Sequence, residues 1–248
     1  AMMNLSAGWP NQCDFSSFVK GTLRSMRIRS KALSVLWKTA IAACAFVGLG
    51  LQIGLFKGEL HLSSFKYFTN ISNLLCMVYF FIDVIFLLAV RKRDGSVSWC
   101  PALKGVAMMG ITVTWLVAHF MLGSFTMGPS LRVSIRLVHY VVPIMTILDW
   151  LLFDQKGQIK LTAPLLWTTF PLAYFAAIMG LAFFGKGVPF YPYPFMNVEK
   201  QGLPRVLITV AVMLAFFIAL GYLFVLVDRL LLKAEGKLQR KPASPSPV

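Results

Sequence analysis

Thr69 and His139 are the residues of this sequence whose types and positions best fit a chemical step. A threonine hydroxyl is inert at neutral pH unless a nearby base takes its proton, and histidine is the usual base. Thr69 lies in "KYFTNISNLL" (66–75) and His139 in "LRVSIRLVHYVVPIMTILDW" (131–150). The pair would supply a nucleophile and a base for acyl transfer, although the sequence has no GxSxG, HExxH or glycine-rich phosphate loop.

Further polar residues surround Thr69 in the same stretch. On a helix, Thr69, Ser72 and Asn73 share one face, and Asn70 is about a quarter-turn away. Polar residues of this kind commonly join transmembrane helices by hydrogen bonds, which is the interpretation we favour for Asn70, Ser72 and Asn73. As an alternative, Asn70 or Asn73 would donate to an oxyanion that develops in a reaction.

The stretch around His139 contains two further features. Arg132 and Arg136 precede His139 on one helical face, and Arg136 is a candidate for binding a carboxylate or phosphate, or for reaching outer headgroups. Pro143 lacks the N–H that would bond to the carbonyl of His139, so a kink and a free carbonyl are expected there.

Long apolar runs determine the expected fold. The chain is 58% hydrophobic and 13% charged, with a mean hydropathy of +0.72. Six runs approach or exceed the roughly 20 residues needed to cross a bilayer. We predict an all-α, multi-pass membrane protein of a prokaryotic plasma membrane, with a basic N-terminal arm (1–31), a six-helix domain (32–232) and a disordered Pro/Ser-rich tail (233–248). The expected spans are 32–56, 67–90, 102–126, 133–153, 161–184 and 203–232.

The net charge of +15 lies mostly at one end of these spans. The positive-inside rule therefore places both termini in the cytoplasm, and Lys38 and Lys104 count toward this basic side. Lys20, Arg24, Arg27 and Lys31 fall on one helical face, which favours contact with anionic membrane lipids over nucleic acid.

The rise per residue of an α-helix places the polar residues of the predicted spans in two layers at different depths. Thr69 lies about 5–8 Å below the outer mouth, and His119 and His139 lie at ~10 Å and ~9 Å. His119 is therefore a candidate for substrate binding in the same layer. Asp83, Asp149 and Asp228 fall near the opposite, basic end, where we expect ion pairing or hydrogen bonding.

The last outer connection, "GKGVPFYPYPFMNVEKQGLP" (185–204), combines prolines with aromatic residues. Its prolines forbid a regular helix, and its aromatic side chains favour the membrane interface. The segment is therefore either a semi-rigid cap over the polar layer or an aromatic anchor.

Three motifs carry a resemblance to a known group. "YFTNISNLL", "HYVVPIMTILDW" and "YPYPFMNV" resemble a prokaryotic family of six-span membrane proteins, which is distantly similar to the androgen-induced family of eukaryotic membrane hydrolases. That family cleaves fatty-acid esters of hydroxy fatty acids with a threonine and a histidine inside the membrane. The resemblance implies Thr69 as nucleophile, His139 as base and a lipid or fatty-acyl ester as substrate. The cluster Asn70, Ser72 and Asn73 belongs to the prokaryotic pattern rather than to the hydrolases.

Two other functions remain open from the sequence. The first is a lipid- or small-molecule-binding or transport protein without catalysis, although no inverted repeat typical of transporters is evident. The second is a zinc hydrolase that uses His61, His119 and His139, which lack ligand spacing within one helix. Our preferred hydrolase needs no metal or other cofactor.

Overall fold

The computed structural model describes residues 27–90, 93–120, 129–185 and 189–240. The predicted basic arm up to residue 26 and the last eight residues of the predicted tail lie outside this part. In the described part of the chain, the ordered elements are helices and no strand occurs.

Six helices are long and apolar enough to cross a membrane, which confirms the predicted all-α architecture. The fourth span, Val133–Phe153, is built from two α-helices joined by a π-helical turn, Leu137–Val141. The helices are α1 (Lys31–Gln52), α2 (Phe68–Ala89), α3 (Pro101–Phe120), α4 (Pro129–Arg136), α5 (Val142–Phe153), α6 (Ala163–Phe184), α7 (Val198–Gln201) and α8 (Leu203–Arg240).

Two helix ends differ from the predicted spans. The first helix begins after Ser30, whose hydroxyl accepts from the Leu33 N–H, and ends at Gln52 rather than residue 56. Gly54 follows with φ of 77°, a left-handed conformation that favours glycine and ends the helix. At the other terminus, α8 continues to Arg240, so residues 233–240 are helical and not part of a disordered tail.

Two apolar clusters hold the helices together. One lies between α1, α2 and α3 and includes Ile41, Tyr79, Phe80 and Ile111. The other lies between α3, α6 and α8 and also receives residues from the connection before α7. The start of α2 and the π-turn meet near these clusters, at one end of the bundle.

The opposite end gathers the start of α1, the ends of α2 and α5, and the C-terminal part of α8. The Ile28 N–H donates to the Leu152 carbonyl at 2.7 Å, and Lys31 Nζ donates to the Val90 carbonyl at 2.9 Å. Asp228 Oδ2 accepts from the Ile159 N–H at 3.2 Å. The starts and ends of the six spans therefore follow the alternation expected of an even number of crossings.

Ion pairs bury several charged side chains at this basic end. Lys38 Nζ lies 2.8 Å from Asp149 Oδ2 and 3.1 Å from Asp83 Oδ2. Lys104 Nζ lies 2.5 Å from both Asp149 Oδ2 and Asp154 Oδ1. The expected pairing of Asp83 and Asp149 is confirmed, and their partners Lys38 and Lys104 are themselves buried, with 1% and 3% of their surface exposed.

Candidate functional site

Thr69 and His139 meet where the start of α2 faces the π-turn. Thr69 Oγ1 lies 3.3 Å from His139 Nε2, within hydrogen-bond distance. Both residues are buried, with 8% and 9% of their surface exposed. The two residues selected for chemistry from the sequence are thus brought together, 70 positions apart in the chain.

The hydrogen bond of the other ring nitrogen of His139, Nδ1, determines which tautomer of the neutral ring is present. Nδ1 lies 3.2 Å from the carbonyl oxygen of Ile135. A carbonyl only accepts, so Nδ1 carries the proton of the neutral imidazole and Nε2 keeps its lone pair. Nε2 therefore accepts from the Thr69 hydroxyl, which is the direction of transfer that a general base requires.

The π-turn changes which carbonyl is freed by Pro143. The Val142 N–H bonds to the carbonyl of Leu137, five residues back, rather than to that of Val138. In this register Pro143 would be the partner of Val138, and it has no N–H to give. Pro143 therefore leaves the Val138 carbonyl, rather than that of His139 to which the sequence had pointed, without a helical donor.

Asn73 satisfies this carbonyl. Its Nδ2 donates to the Val138 carbonyl at 3.0 Å and to the Thr69 carbonyl at 2.8 Å. Both amide hydrogens are thus engaged, so the oxyanion role considered for Asn73 does not fit this geometry. Asn73 instead joins α2 to the fourth span and fixes Thr69 relative to His139, which confirms the helix-joining interpretation.

Ser72 and Asn70 also make structural hydrogen bonds. Ser72 Oγ lies 2.7 Å from Thr114 Oγ1 on α3, so Ser72 joins helices as expected. Asn70 Nδ2 donates to the carbonyl of Ser64 at 2.8 Å, within the connection before α2. Since one hydrogen of the Asn70 amide is committed to that loop, we assign Asn70 to positioning the start of α2.

The remaining sequence candidates lie away from the Thr69–His139 pair. His119 Nδ1 is 3.4 Å from the hydroxyl of Tyr140, and its ring stacks edge-on against Phe120. His119 thus lies at the level of His139, as its depth predicted, but on an exposed surface of α3. Arg136 is exposed one helical turn before His139, so its proposed binding of a carboxylate stays a prediction.

The three histidines are not arranged as a metal site. His61 is 60% exposed and pairs with Glu59 at 3.6 Å, in the connection between α1 and α2. Among the residues that the structure describes, no three His, Cys, Asp or Glu side chains come together as metal ligands. The zinc alternative therefore has no geometric support in this part of the chain.

An apolar cavity opens beside Thr69. It lies between α2, α3, α6 and α8, with a volume of about 80 Å³. Thr69 is on its wall, whereas His139, to which the Thr69 hydroxyl bonds, does not line the cavity. The other lining residues are mainly aliphatic and aromatic, among them Phe68, Val113, Phe175, Met196, Met213 and Phe217.

The proline- and aromatic-rich connection forms part of the cavity wall, which favours the cap over a simple anchor. Tyr193 is 7% exposed and stacks on Phe195 with 5.3 Å between ring centroids. Burial raises the pKa of Tyr193, against the opposing effect of hydrogen bonds from Thr69 and Phe68. Tyr193 was missed from the sequence, although its proline-rich setting marked the segment as unusual.

Comparison of the chain with protein families, with curated proteins and with solved structures gave no match. The assignment of function therefore depends on the geometry of the site.

Proposed function

We propose that the protein is an intramembrane hydrolase of lipid esters, with Thr69 as nucleophile and His139 as general base. The observation that supports this most directly is the contact between Thr69 Oγ1 and His139 Nε2, together with the proton that Ile135 holds on Nδ1. This is the arrangement in which a hydroxyl nucleophile is activated by a neighbouring base.

The reaction follows the usual course of acyl transfer. Thr69 Oγ attacks the ester carbonyl carbon while its proton moves to His139 Nε2, and a tetrahedral intermediate forms. The bond from this carbon to the leaving oxygen then breaks, and His139 gives the proton to the leaving alkoxide. Water attacks the acyl-threonine with His139 again as base, which releases the fatty acid and restores the hydroxyl.

The surroundings favour a lipid substrate. The cavity beside Thr69 is mostly apolar and is bounded by membrane-spanning helices, so its lining favours an apolar substrate. Fatty-acid esters of hydroxy fatty acids fit this scheme, with Arg136 as the partner of their free carboxylate. The same proposal places both termini in the cytoplasm and the site in the outer leaflet of a prokaryotic plasma membrane.

Substitution of the pair tests the proposal. In purified protein in detergent, Thr69→Val keeps the side-chain shape but removes the nucleophile, and we expect ester turnover to fall roughly 10³-fold or more. A fluorophosphonate probe should label the wild type and not Thr69→Val. Thr112→Val is the matched control, because the buried Thr112 hydroxyl donates to the Met108 carbonyl in the interior of α3.

The two histidines at the same depth give a second comparison. His139→Ala should lower turnover by about 10²–10⁴-fold, which is the contribution of a general base. His119→Ala should leave turnover within a few-fold of the wild type, since His119 contacts Tyr140 rather than Thr69. Full turnover in Thr69→Val would contradict the mechanism.

The apolar cavity also favours a second candidate, a lipid-binding protein without catalysis. In that case the wild type would bind a fluorescent fatty acid, Thr69→Val would bind it equally well, and neither would show ester turnover or probe labelling.

A further inference from the structure

A second cavity lies at the basic end of the bundle, away from Thr69. It is bounded by the first turns of α3 and α6 and by the connection from α5 to α6, and its volume is about 480 Å³. A space of this size is typical of sites for small molecules, and a single ion or water molecule would fill little of it. The cavity therefore has room for a larger group.

The wall of this cavity is polar on one side and apolar on the other. Ala102 on α3 and Leu166 on α6 are exposed side chains of membrane-spanning helices, so they face lipid chains. The polar side belongs to the connection from α5 to α6 and consists of Asp154, Gln155, Gln158 and Lys160. A ligand that matches both sides has a polar head and an apolar chain.

The cavity also lies at the depth of lipid headgroups. The third span begins at Pro101 and the fifth at Ala163, and both residues line the cavity. Trp150 and Trp167 form part of its inner wall, and tryptophan is enriched at this level of a membrane. Pockets between spans at a basic end are a known kind of headgroup site.

Lys160 offers a cation to the phosphate of a headgroup. Its side chain is exposed and lines the cavity, and it forms no ion pair with the other residues that the structure describes. A lysine ammonium binds phosphate oxygens by charge-assisted hydrogen bonds. Lys160 is therefore the residue of the wall that is suited to an anionic group.

Asp154 offers a carboxylate to a second, cationic part of the headgroup. Its Oδ1 lies 2.5 Å from Lys104 Nζ, but 18% of its side chain remains exposed. A carboxylate has about four lone-pair sites on its two oxygens, so Asp154 can accept from a further donor in the cavity. The donor that complements a carboxylate best is an ammonium group.

We propose that this cavity binds one phospholipid from the leaflet at the basic end, with a headgroup that carries both a phosphate and a primary ammonium, as phosphatidylethanolamine does. The phosphate pairs with Lys160, the ammonium donates to Asp154, and an acyl chain lies along Ala102 and Leu166. A headgroup without an ammonium would leave Asp154 unmatched beside the phosphate, which disfavours purely anionic lipids. The site is separate from the cavity beside Thr69 and does not depend on the proposed hydrolase function.

Lipid titration of the purified, delipidated protein in detergent tests the site. Native mass spectrometry measures the binding of phosphatidylethanolamine, phosphatidylglycerol and phosphatidylcholine with the same acyl chains. We expect one molecule of phosphatidylethanolamine to bind about tenfold more tightly than either of the others, which is the effect of one charge-assisted hydrogen bond. Phosphatidylcholine has the positive charge but no N–H to donate. Equal affinity for the three lipids would overturn the inference.

Substitution of the two charged residues separates the phosphate contact from the ammonium contact. Asp154→Asn should lower the affinity for phosphatidylethanolamine about tenfold and leave that for phosphatidylglycerol unchanged, so the preference disappears. Lys160→Gln should weaken the binding of both lipids. Lys233→Gln is the matched control, because Lys233 is an exposed lysine at the same end of the bundle, on α8, outside the cavity wall. If Lys233→Gln weakens binding as much as Lys160→Gln, general charge attraction holds the lipid and the inference is overturned.

A steric variant covers the case in which Asp154→Asn does not fold, since Asp154 also pairs with Lys104. Ala102→Trp fills space between α3 and α6 without changing a charge, and it should abolish binding of this lipid. Ala177→Trp, at an exposed position of α6 outside the cavity, should leave binding unchanged. Binding that persists in Ala102→Trp would overturn the inference.

Glycerophosphoethanolamine, which has the same headgroup without acyl chains, tests whether the ligand is a lipid. It should not displace bound phosphatidylethanolamine at equal concentration, because it lacks the apolar contact with α3 and α6. Displacement at equal concentration would show that the cavity binds a soluble phosphate ester, and the assignment to a membrane lipid would be wrong.

Discussion

Thr69 and Ser72 are hydroxyl residues less than one turn apart on α2, but their surroundings differ. The Ser72 hydroxyl is within reach of the Phe68 and Thr69 carbonyls and of the Thr114 hydroxyl, all of which hold it inside the helix bundle. The Thr69 hydroxyl instead bonds to an imidazole, and Thr69 lies on the wall of a cavity. Residue type alone does not distinguish the two; Thr69 is the proposed nucleophile because it has a base as neighbour and a cavity beside it.

Lys156, in the connection between α5 and α6, shows how burial changes a single side chain. It is 2% exposed, its ammonium group donates to the Trp150 carbonyl, and it lies 4.6 Å from the centroid of the Trp150 ring. Burial lowers the pKa of Lys156 from 10.5 to about 8, despite the opposing attraction of Asp154 and Asp228. The protonated form is thus disfavoured in the folded protein.

This shift makes the stability of the protein depend on pH. Between pH 8 and 10.5 the unfolded chain binds more protons at Lys156 than the folded chain, so this residue makes the protein more stable as pH rises through that window. Below pH 8 its cost to folding is complete. Lys156→Met removes the titrating group and so lacks the gain in stability that the wild type shows as pH rises. The free energy of unfolding of Lys156→Met minus that of the wild type should therefore fall by about 3 kcal/mol between pH 7 and pH 11.

Denaturation in detergent at several pH values measures this difference. Lys160→Met is the matched control, because Lys160 is in the same connection but exposed. If the free energies of unfolding of Lys156→Met and the wild type differ by the same amount at all pH values, burial of the ammonium group does not carry the expected cost.

At the scale of elements, the π-turn and α2 depend on each other through one hydrogen bond. Pro143 leaves the Val138 carbonyl without a helical donor, and Asn73 on α2 supplies one at 3.0 Å. The same turn carries His139, and the same residue of α2 bonds to the carbonyl of Thr69. The Asn73 side chain, which supplies the missing donor in the fourth span, therefore also positions Thr69 relative to His139.

Two substitutions test this dependence together. Asn73→Leu should destabilise the protein by about 1–3 kcal/mol, because the buried Val138 carbonyl loses its partner. Pro143→Ala restores a backbone N–H that can bond to this carbonyl within the helix. Asn73→Leu should therefore cost less stability in the Pro143→Ala background than in the wild type. The difference between the two costs, which is the coupling energy, should be about 1 kcal/mol.

Unfolding of the four proteins in detergent gives the coupling, with Ser72→Ala as a control for loss of a polar side chain on the same face of α2. Strict additivity of Asn73→Leu and Pro143→Ala would show that the two residues do not share the Val138 carbonyl. Pro143→Ala should also lower ester turnover, since relaxation of the π-turn moves His139 away from Thr69.

At the scale of the whole molecule, some features followed from the sequence and others did not. The six spans and the Thr69–His139 layer could be predicted, because helical rise and apolar length do not depend on which helices are neighbours. The burial of Lys38 and the placement of Tyr193 depend on helix rotation and on the path of a connection. Neither has a signal in spacing along the chain, so the sequence placed Lys38 at the basic end without predicting its burial.

The buried ion pairs join four spans at the basic end. Lys38 on α1 reaches Asp83 on α2 and Asp149 on α5, and Lys104 on α3 also reaches Asp149. Removal of one partner of such a pair leaves an uncompensated charge in a low-dielectric setting. Asp149 would keep Lys104 if Lys38 were removed, whereas Asp83 would lose its cation.

Lys38→Met should therefore destabilise the protein by about 3–5 kcal/mol and lower its yield from membranes. Lys38→Met combined with Asp83→Asn removes the uncompensated charge as well, and should recover more than half of that loss. Lys31→Met is the matched control on α1, since Lys31 is only partly buried and bonds to a single carbonyl, that of Val90. Thermal unfolding of the purified proteins in detergent measures all three. If Lys38→Met is as stable as Lys31→Met, or if Asp83→Asn adds to the loss instead of reversing it, the ion pairs do not hold the basic end of the bundle together.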